Sequence, residues 1–285
     1  MEIEVKGHSG CQIGIVNDGV QLYISKSTHD PKYIPRLLKQ AEKQQAASQN
    51  FYQHIRIPQV YGITKTDSSL DVKMEYVYSK NFVDYFEDAG FDQIDYFVKA
   101  LKIFIDDEMS KSISKGINRE VITNKFASVK EIVRSNALLN EDVEIKEILE
   151  ASDSVFYHLE EVCDIPLGVC HGDLTFSNIL FNGNNYYLID FLDSFIESPL
   201  MDLVKIRQDS CYGWSLLMYG REYDKVRMNI ISRKIDNEID KYYGGYDWYQ
   251  RYYKPMQLMN FLRVLQYAKE TKVINYLKTV IKTLL

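Results

Sequence analysis

Residues 169–191 read VCHGDLTFSNILFNGNNYYLIDF. An apolar lead-in runs into His171-Gly172-Asp173, and Asn178 follows five residues after that aspartate. A polar turn, Asn182-Gly183-Asn184-Asn185, separates these residues from a second apolar run that ends in Asp190. An aspartate and an asparagine on a tight loop, with a second aspartate returned by a short hairpin, are the parts that metal-nucleotide phosphoryl transfer needs. The first aspartate can accept a proton from an attacking hydroxyl. The asparagine and the second aspartate are hard oxygen ligands suited to magnesium.

The surrounding chain is ordinary globular material. Its 285 residues are enough for two lobes and a sizeable core. At 46% hydrophobic and 26% charged it is neither a disordered tail nor a fibre. The net charge of -6 argues against a nucleic-acid partner or an anionic membrane surface, both of which reward excess Lys and Arg. Cys11, Cys163, Cys170 and Cys211 form no C-x-x-C pair, and no histidine stands at metal-ligand spacing from them. That usage fits a reducing compartment. The opening MEIEVKGHSG has no apolar signal core, and no apolar run approaches the length of a membrane span. The expectation is a soluble, cytoplasmic protein with no membrane insertion.

Upstream of the central stretch, residues 11–16 and 20–25 are β-rich runs around an Asn17-Asp18-Gly19 turn, which predicts a hairpin. Gly7-His8-Ser9-Gly10 precedes it, and small residues there let backbone amides approach phosphate oxygens. Lys26 closes the second strand. A helix is predicted over 31–50, with Ile34, Leu37, Leu38 and Ala41 as its apolar stripe and Glu42 one position beyond. A Lys26–Glu42 pair would aim the ammonium at a nucleotide phosphate. Singly, each of these features reads better as a surface turn or a solvated charge. Strands are predicted over 57–62 and 70–77. The second runs through Met74, Glu75, Tyr76 and Val77 into a polar linker, where backbone groups on a free edge can bond a purine.

From residue 82 onward the pattern is helical. Tyr96, Val98, Leu101, Ile105 and Met109 recur at helix-like intervals. Further helices are predicted over 120–135 and 141–162, the latter broken near Ser152-Asp153, and another opens at Pro199. The remaining chain is mostly helical, with residues 242–253 (YYGGYDWYQRYY) at a helix–helix junction.

The order glycine turn, strand lysine, helical glutamate, strand-to-linker, helices, H-G-D-x-x-x-x-N and I-D-F resembles the protein-kinase-like fold in its small-molecule branch. That branch holds the aminoglycoside phosphotransferases and the choline and ethanolamine kinases. Gly172 after His171 is typical of it, where protein kinases usually carry arginine. The resemblance implies an α+β, bilobal fold with a small β-rich N-lobe (residues 1–78, nucleotide binding) and a larger, mainly helical C-lobe (residues 79–285, catalytic loop and acceptor site). It implies Asp173 as catalytic base, Asn178 and Asp190 as magnesium ligands, and Lys26, held by Glu42, on the phosphates of ATP. Gly7, Ser9 and Gly10 would cover those phosphates, and Glu75, Tyr76 and Val77 would bind the adenine. His171 would be structural, and Asp202 would accept hydrogen bonds from the loop backbone.

Three features depart from protein kinases: the glycine turn is poorer in glycine, Phe-Leu rather than Phe-Gly follows Asp190, and no activation segment follows. Asp193 reads equally as a metal or acceptor contact and as a surface residue. The implied activity is transfer of the γ-phosphate of ATP to a small-molecule hydroxyl, with a sugar, an aminoglycoside or an amino alcohol such as choline as acceptor. Residues 191–203 are also similar to phosphotransferases encoded with bacterial surface-polysaccharide genes, which would suit a sugar or amino alcohol. The net negative charge leans toward a cationic acceptor. A non-catalytic kinase-like ATP-binding protein and a protein kinase stand as alternatives.

Overall fold

The computed structural model describes residues 2–5, 11–114 and 116–285. The chain begins with β1 (Glu2–Val5), β2 (Gln12–Asn17) and β3 (Leu22–Thr28), then α1 (Ile34–Ser48), β4 (Ile55–Arg56), β5 (Val60–Lys65) and β6 (Leu70–Glu75). Strands β1-β2-β3-β6-β5 form an antiparallel sheet in that order. The β2–β3 turn is the expected one. Asn17 Oδ1 accepts from Gly19 N–H, Asp18 Oδ1 accepts from Val20 and Gln21 N–H, and Gly19 sits at φ +88°. Ile34, Leu37 and Ala41 of α1 pack against Leu70 and Val72 of β6 in a small core of their own. Period 3.6 on the helix and period 2 on the strand bring these apolar faces together.

The larger lobe contains α2 (Phe82–Asp88), α3 (Phe91–Ser110), β7 (Ile113–Ser114), β8 (Ile117–Asn118), α4 (Arg119–Ser135), α5 (Val143–Tyr157), β9 (Val162–Cys163) and β10 (Pro166–Leu167). After these come β11 (Ile179–Asn182), β12 (Asn185–Leu188), α6 (Pro199–Ser210), α7 (Trp214–Met218), α8 (Lys225–Tyr243), α9 (Asp247–Leu265) and α10 (Thr271–Leu284). Asn81 caps α2 by accepting from Val83 and Asp84 N–H. α6 opens at Pro199 as the sequence predicts, with Ser198 as its cap. The helix expected to break near Ser152 runs unbroken as α5 over Val143–Tyr157; the buried Ser152 hydroxyl finds its partner in the Ile148 carbonyl at 2.7 Å. The two-residue ladders β7–β10 and β8–β9 carry no sequence signal of their own.

The β11–β12 hairpin is fixed by an aromatic cluster. Phe97 of α3 lies 5.3 Å from Phe181 and 5.0 Å from Tyr186 between ring centroids, and Phe86 of α2 lies 5.3 Å from Phe176. Tyr85 stacks on Phe181 at 4.3 Å. Such pairs are worth about 0.5–1.5 kcal/mol each beyond area burial. β4 joins this hairpin in parallel, and Ala47, Ile55 and Ile57 belong to the larger core although they lie among the N-terminal residues. Lys80 and Phe181 exchange backbone hydrogen bonds, which ties the linker to β11. The mixed α+β architecture has an antiparallel sheet lobe and a helical lobe, as expected. No helix among the described residues is long and apolar enough to cross a membrane.

Candidate active site

Residues 171–178, the candidate catalytic loop, follow β10 and precede β11, and buried carboxylates hold them in place. Asp202, fully buried on the first turn of α6, accepts from His171 N–H at 2.5 Å and Gly172 N–H at 2.7 Å. Burial pushes its carboxyl up to about 6, against the pull of those two N–H groups. Glu108 of α3 packs against it, and burial pushes that carboxyl well above the ordinary range. Asp209, two helical turns further along α6, accepts from Phe176 N–H at 2.6 Å, Ser215 N–H at 2.8 Å and the Ser215 hydroxyl at 2.9 Å. The loop backbone therefore has partners fixed to a buried helix, which satisfies buried polar groups that would otherwise be costly.

His171 is fully buried against Phe191, and burial pulls its imidazole down to about 4. Its Nε2 stands 2.9 Å from the Ile189 carbonyl, and Asp173 N–H donates to its Nδ1 at 3.2 Å. Both bonds require the neutral tautomer with the proton on Nε2. His171 thus joins the loop to the end of β12, with its one N–H committed to the Ile189 carbonyl. Gly172 lies at φ +87°, and a Cβ there would collide with the Leu192 carbonyl oxygen. Close approach of two backbone segments requires glycine at this position.

Asp173 is partly exposed. Its Oδ2 accepts from Asn178 Nδ2 at 2.9 Å, and its Oδ1 pairs with Lys205 Nζ at 3.0 Å. Burial raises this carboxyl, but Lys205, the nearby His171 and the Asn178 amide outweigh it, and the net displacement is below the ordinary carboxylate range. The Asn178 amide nitrogen also donates to the Asp173 carbonyl at 2.8 Å, so its Oδ1 is the atom left for another partner. Asp190 takes φ +62°, a left-handed conformation that aspartate tolerates better than bulkier residues, and meets Lys26 Nζ at 2.7 Å. Lys26 itself is buried on β3. A strand lysine of the sheet lobe and the hairpin aspartate of the helical lobe are therefore in contact.

The expected Lys26–Glu42 pair does not form. Glu42 lies on the exposed face of α1, about 100° around the helix from Ala41, and makes no ion pair among the described residues. Lys43 reaches inward instead, donating to the Leu192 carbonyl and to Glu197 Oε2, each at 2.7 Å. Burial depresses Lys43, but Cys170 and Glu197 reverse this, and its net displacement is upward. Glu75 sits at the end of β6, exchanging hydrogen bonds with Gln59 through its backbone N–H and its carboxylate. Tyr76 and Val77 follow half-buried, and their backbone N–H groups make no backbone hydrogen bond among the described residues. Gly7, Ser9 and Gly10 lie outside the described residues. Asp193 is exposed and 3.4 Å from Lys39.

Sequence reasoning missed Lys205, Lys43 and Asp209. Lys205 carried a usable signal, since it lies three residues after Asp202 on one helix and such positions are neighbours. Lys43 carried none, because its partners Leu192 and Glu197 are distant in the chain.

The model of the phosphotransferase enzyme family (APH) matches residues 119–230, less than half of the chain but including residues 171–178, Asp190 and Asp202. No curated protein sequence matches. Among solved structures, the GDP and kanamycin complex of the aminoglycoside phosphotransferase APH(2")-IIia superposes with TM-score 0.67 at 15% identity, covering 100% of this chain and 92% of that one. A thermostable mutant of aminoglycoside phosphotransferase APH(4)-Ia, in ternary complex with ADP and hygromycin B, gives 0.61 at 9% identity with the same coverages. A glucosamine kinase gives 0.62 at 13% identity, covering 96% of this chain and 75% of that one. At these identities the superpositions speak for the fold. In fold the chain is like the aminoglycoside phosphotransferases and a glucosamine kinase, and over residues 119–230 its sequence is like the phosphotransferase enzyme family.

Proposed function

We propose that this protein is a magnesium- and ATP-dependent phosphotransferase that moves the γ-phosphate to a hydroxyl of a small molecule. The observation that carries this reading is the junction of the two lobes. Lys26 meets Asp190 across it, while Asn178 is fastened to Asp173 on the adjoining loop. Residues 1–78 would bind the nucleotide and 79–285 the acceptor. Lys26 would hold the phosphates, and the segment Glu75, Tyr76 and Val77 would take the adenine. Cys163, Cys170 and Cys211 are free thiols, in keeping with a cytoplasmic setting.

The donor set suits magnesium. Asn178 has its amide oxygen uncommitted, and Asp190 uses only Oδ1 on Lys26. Among the described residues no group of three or more His, Cys, Asp and Glu could cage a metal alone, which suits an ion that completes its shell with phosphate oxygens and water. Bound there, magnesium would neutralise charge on the transferring phosphoryl group. Asp173 would orient the acceptor hydroxyl and take its proton. A depressed carboxylate stays ionised to do so at neutral pH, and Lys205 fixes its direction. General-base assistance of this kind contributes roughly 10²–10⁴ in rate.

The test is nucleotide turnover by the purified chain with magnesium, with and without acceptors. Asp173→Ala and Asp190→Ala, each shown to be folded, should abolish it. Undiminished turnover in both would overturn the reading.

A further inference from the structure

Beside Asp173, on the side bounded by α1, α4, α6 and α9, lies a cavity of about 510 Å³. Four cationic residues line it: Arg36 from α1, Lys125 from α4, Lys205 from α6 and Arg263 from α9. Lys205 is matched by Asp173, and the one carboxylate in the wall, Asp193, is matched by Lys39. Arg36, Lys125 and Arg263 form no ion pair among the described residues. Arg263 lies over the Phe195 ring, 5.2 Å away, and Arg36 lies over Tyr33. Arg263 and Lys125 are half-buried, and burial pushes each below its ordinary value; Asp173 and Tyr267 pull Arg263 part of the way back and Arg36 adds to its lowering, while Arg263 adds to the lowering of Lys125. Four elements thus converge like charge on one concave wall. That arrangement is unfavourable in the empty protein and is relieved by an anion. Gln40 and Gln266, also in the wall, each bury an amide oxygen that lacks a partner and can accept a hydrogen bond from a hydroxyl.

We propose that the acceptor is itself an anion: a hydroxyl-bearing small molecule, of sugar or polyol size, whose carboxylate or phosphate group is held by Arg263, Lys125 and Arg36 while its hydroxyl faces Asp173. The proposal rests on the phosphotransferase reading above and names the substrate class of the same site. It reverses the lean toward a cationic acceptor that the net charge of -6 suggests, because whole-chain charge is not the charge of one wall. An apolar cavity lined by Trp214 and Tyr219 adjoins this one and shares Val264 and Tyr267 with it, and its aromatic faces suit the carbon skeleton of the same molecule. Transfer breaks the bond from the β–γ bridging oxygen to the γ-phosphorus and forms one from the acceptor oxygen to it. The hydroxyl proton passes to Asp173, and ADP leaves with the bridging oxygen.

The experiment is a matched panel on the full chain with magnesium and ATP. Glucuronate and glycerate carry a carboxylate, glucose 6-phosphate and glycerol phosphate carry a phosphate, glucose and glycerol are neutral, and choline, glucosamine and kanamycin are cationic. Turnover should favour one anionic arm over its neutral partner by about tenfold or more, a difference of roughly 1.4 kcal/mol. Arg263→Gln and Lys125→Gln should each cut that preference ratio by a similar factor, and either suffices if the other does not fold. Preference for neutral or cationic acceptors, or a ratio unchanged in both variants, overturns the proposal. If no acceptor turns over, thermal-shift titration with the same panel decides it: stabilisation by an anionic member that Arg263→Gln abolishes supports it, and no such stabilisation overturns it. Acceptor-independent ATP hydrolysis that Asp190→Ala abolishes reports on the phosphotransferase reading separately, so the two can fail independently.

Discussion

Gly172→Ala is the most informative single change to the catalytic loop, because its effect follows from backbone geometry alone. The glycine sits at φ +87°, where an alanine costs about 1–2 kcal/mol. Its new Cβ would also meet the Leu192 carbonyl oxygen, which is backbone and cannot rotate away. That oxygen accepts from Lys43 Nζ at 2.7 Å, and Leu192 N–H donates to the His171 carbonyl at 3.0 Å. Separating the two segments strains or breaks at least the Lys43 bond, whose charged donor makes it worth about 1.5–3 kcal/mol. The expected loss is therefore about 3–5 kcal/mol, a large part of the roughly 5–15 kcal/mol available to a typical domain. Urea denaturation followed by tyrosine and tryptophan fluorescence measures it, and nucleotide turnover on the same preparation reads the displacement of Asp173. A variant within about 1 kcal/mol of the parent and with undiminished turnover would show that the loop yields freely, and that no steric requirement keeps glycine at this position.

Two further expectations concern the buried titratable groups. His171 is held at about 4 in the fold against an ordinary 6.5, so its contribution is intact above pH 6.5 and is lost as pH falls toward 4, by roughly 3 kcal/mol in all. Asp202 and Asp209, both raised to about 6, act in the opposite sense, contributing most at low pH and losing that contribution as pH rises toward 6. The His171 contribution is therefore read as a difference: the stability gap between the parent and His171→Gln should narrow between pH 7 and pH 4.5, and a constant gap would refute the assignment. Asp209→Ala strands the N–H groups of Phe176 and Ser215 and the Ser215 hydroxyl, and should cost about 3–5 kcal/mol by denaturation, with turnover falling as residues 176–178 shift. A loss below about 1 kcal/mol would mean those donors find other partners.

The features legible along the chain are local and ordered. The H-G-D-x-x-x-x-N spacing, the hairpin that returns Asp190, the Asn17-Asp18-Gly19 turn and the helix start at Pro199 all depend on neighbours within a few residues, so residue types and spacings suffice to read them. The buried role of Asp202 was legible only through the resemblance, which carries the order of elements from the catalytic loop to the helix behind it. Which charges meet is a matter of tertiary structure. The stripe of α1 placed Glu42 outward and Lys43 inward, since one residue is a 100° turn of the helix. Lys26 found Asp190, which is 164 residues away. The cations beside Asp173 come from four different helices, each ordinary in its own segment. A pocket's charge is a property of convergence, and no window along the chain contains it.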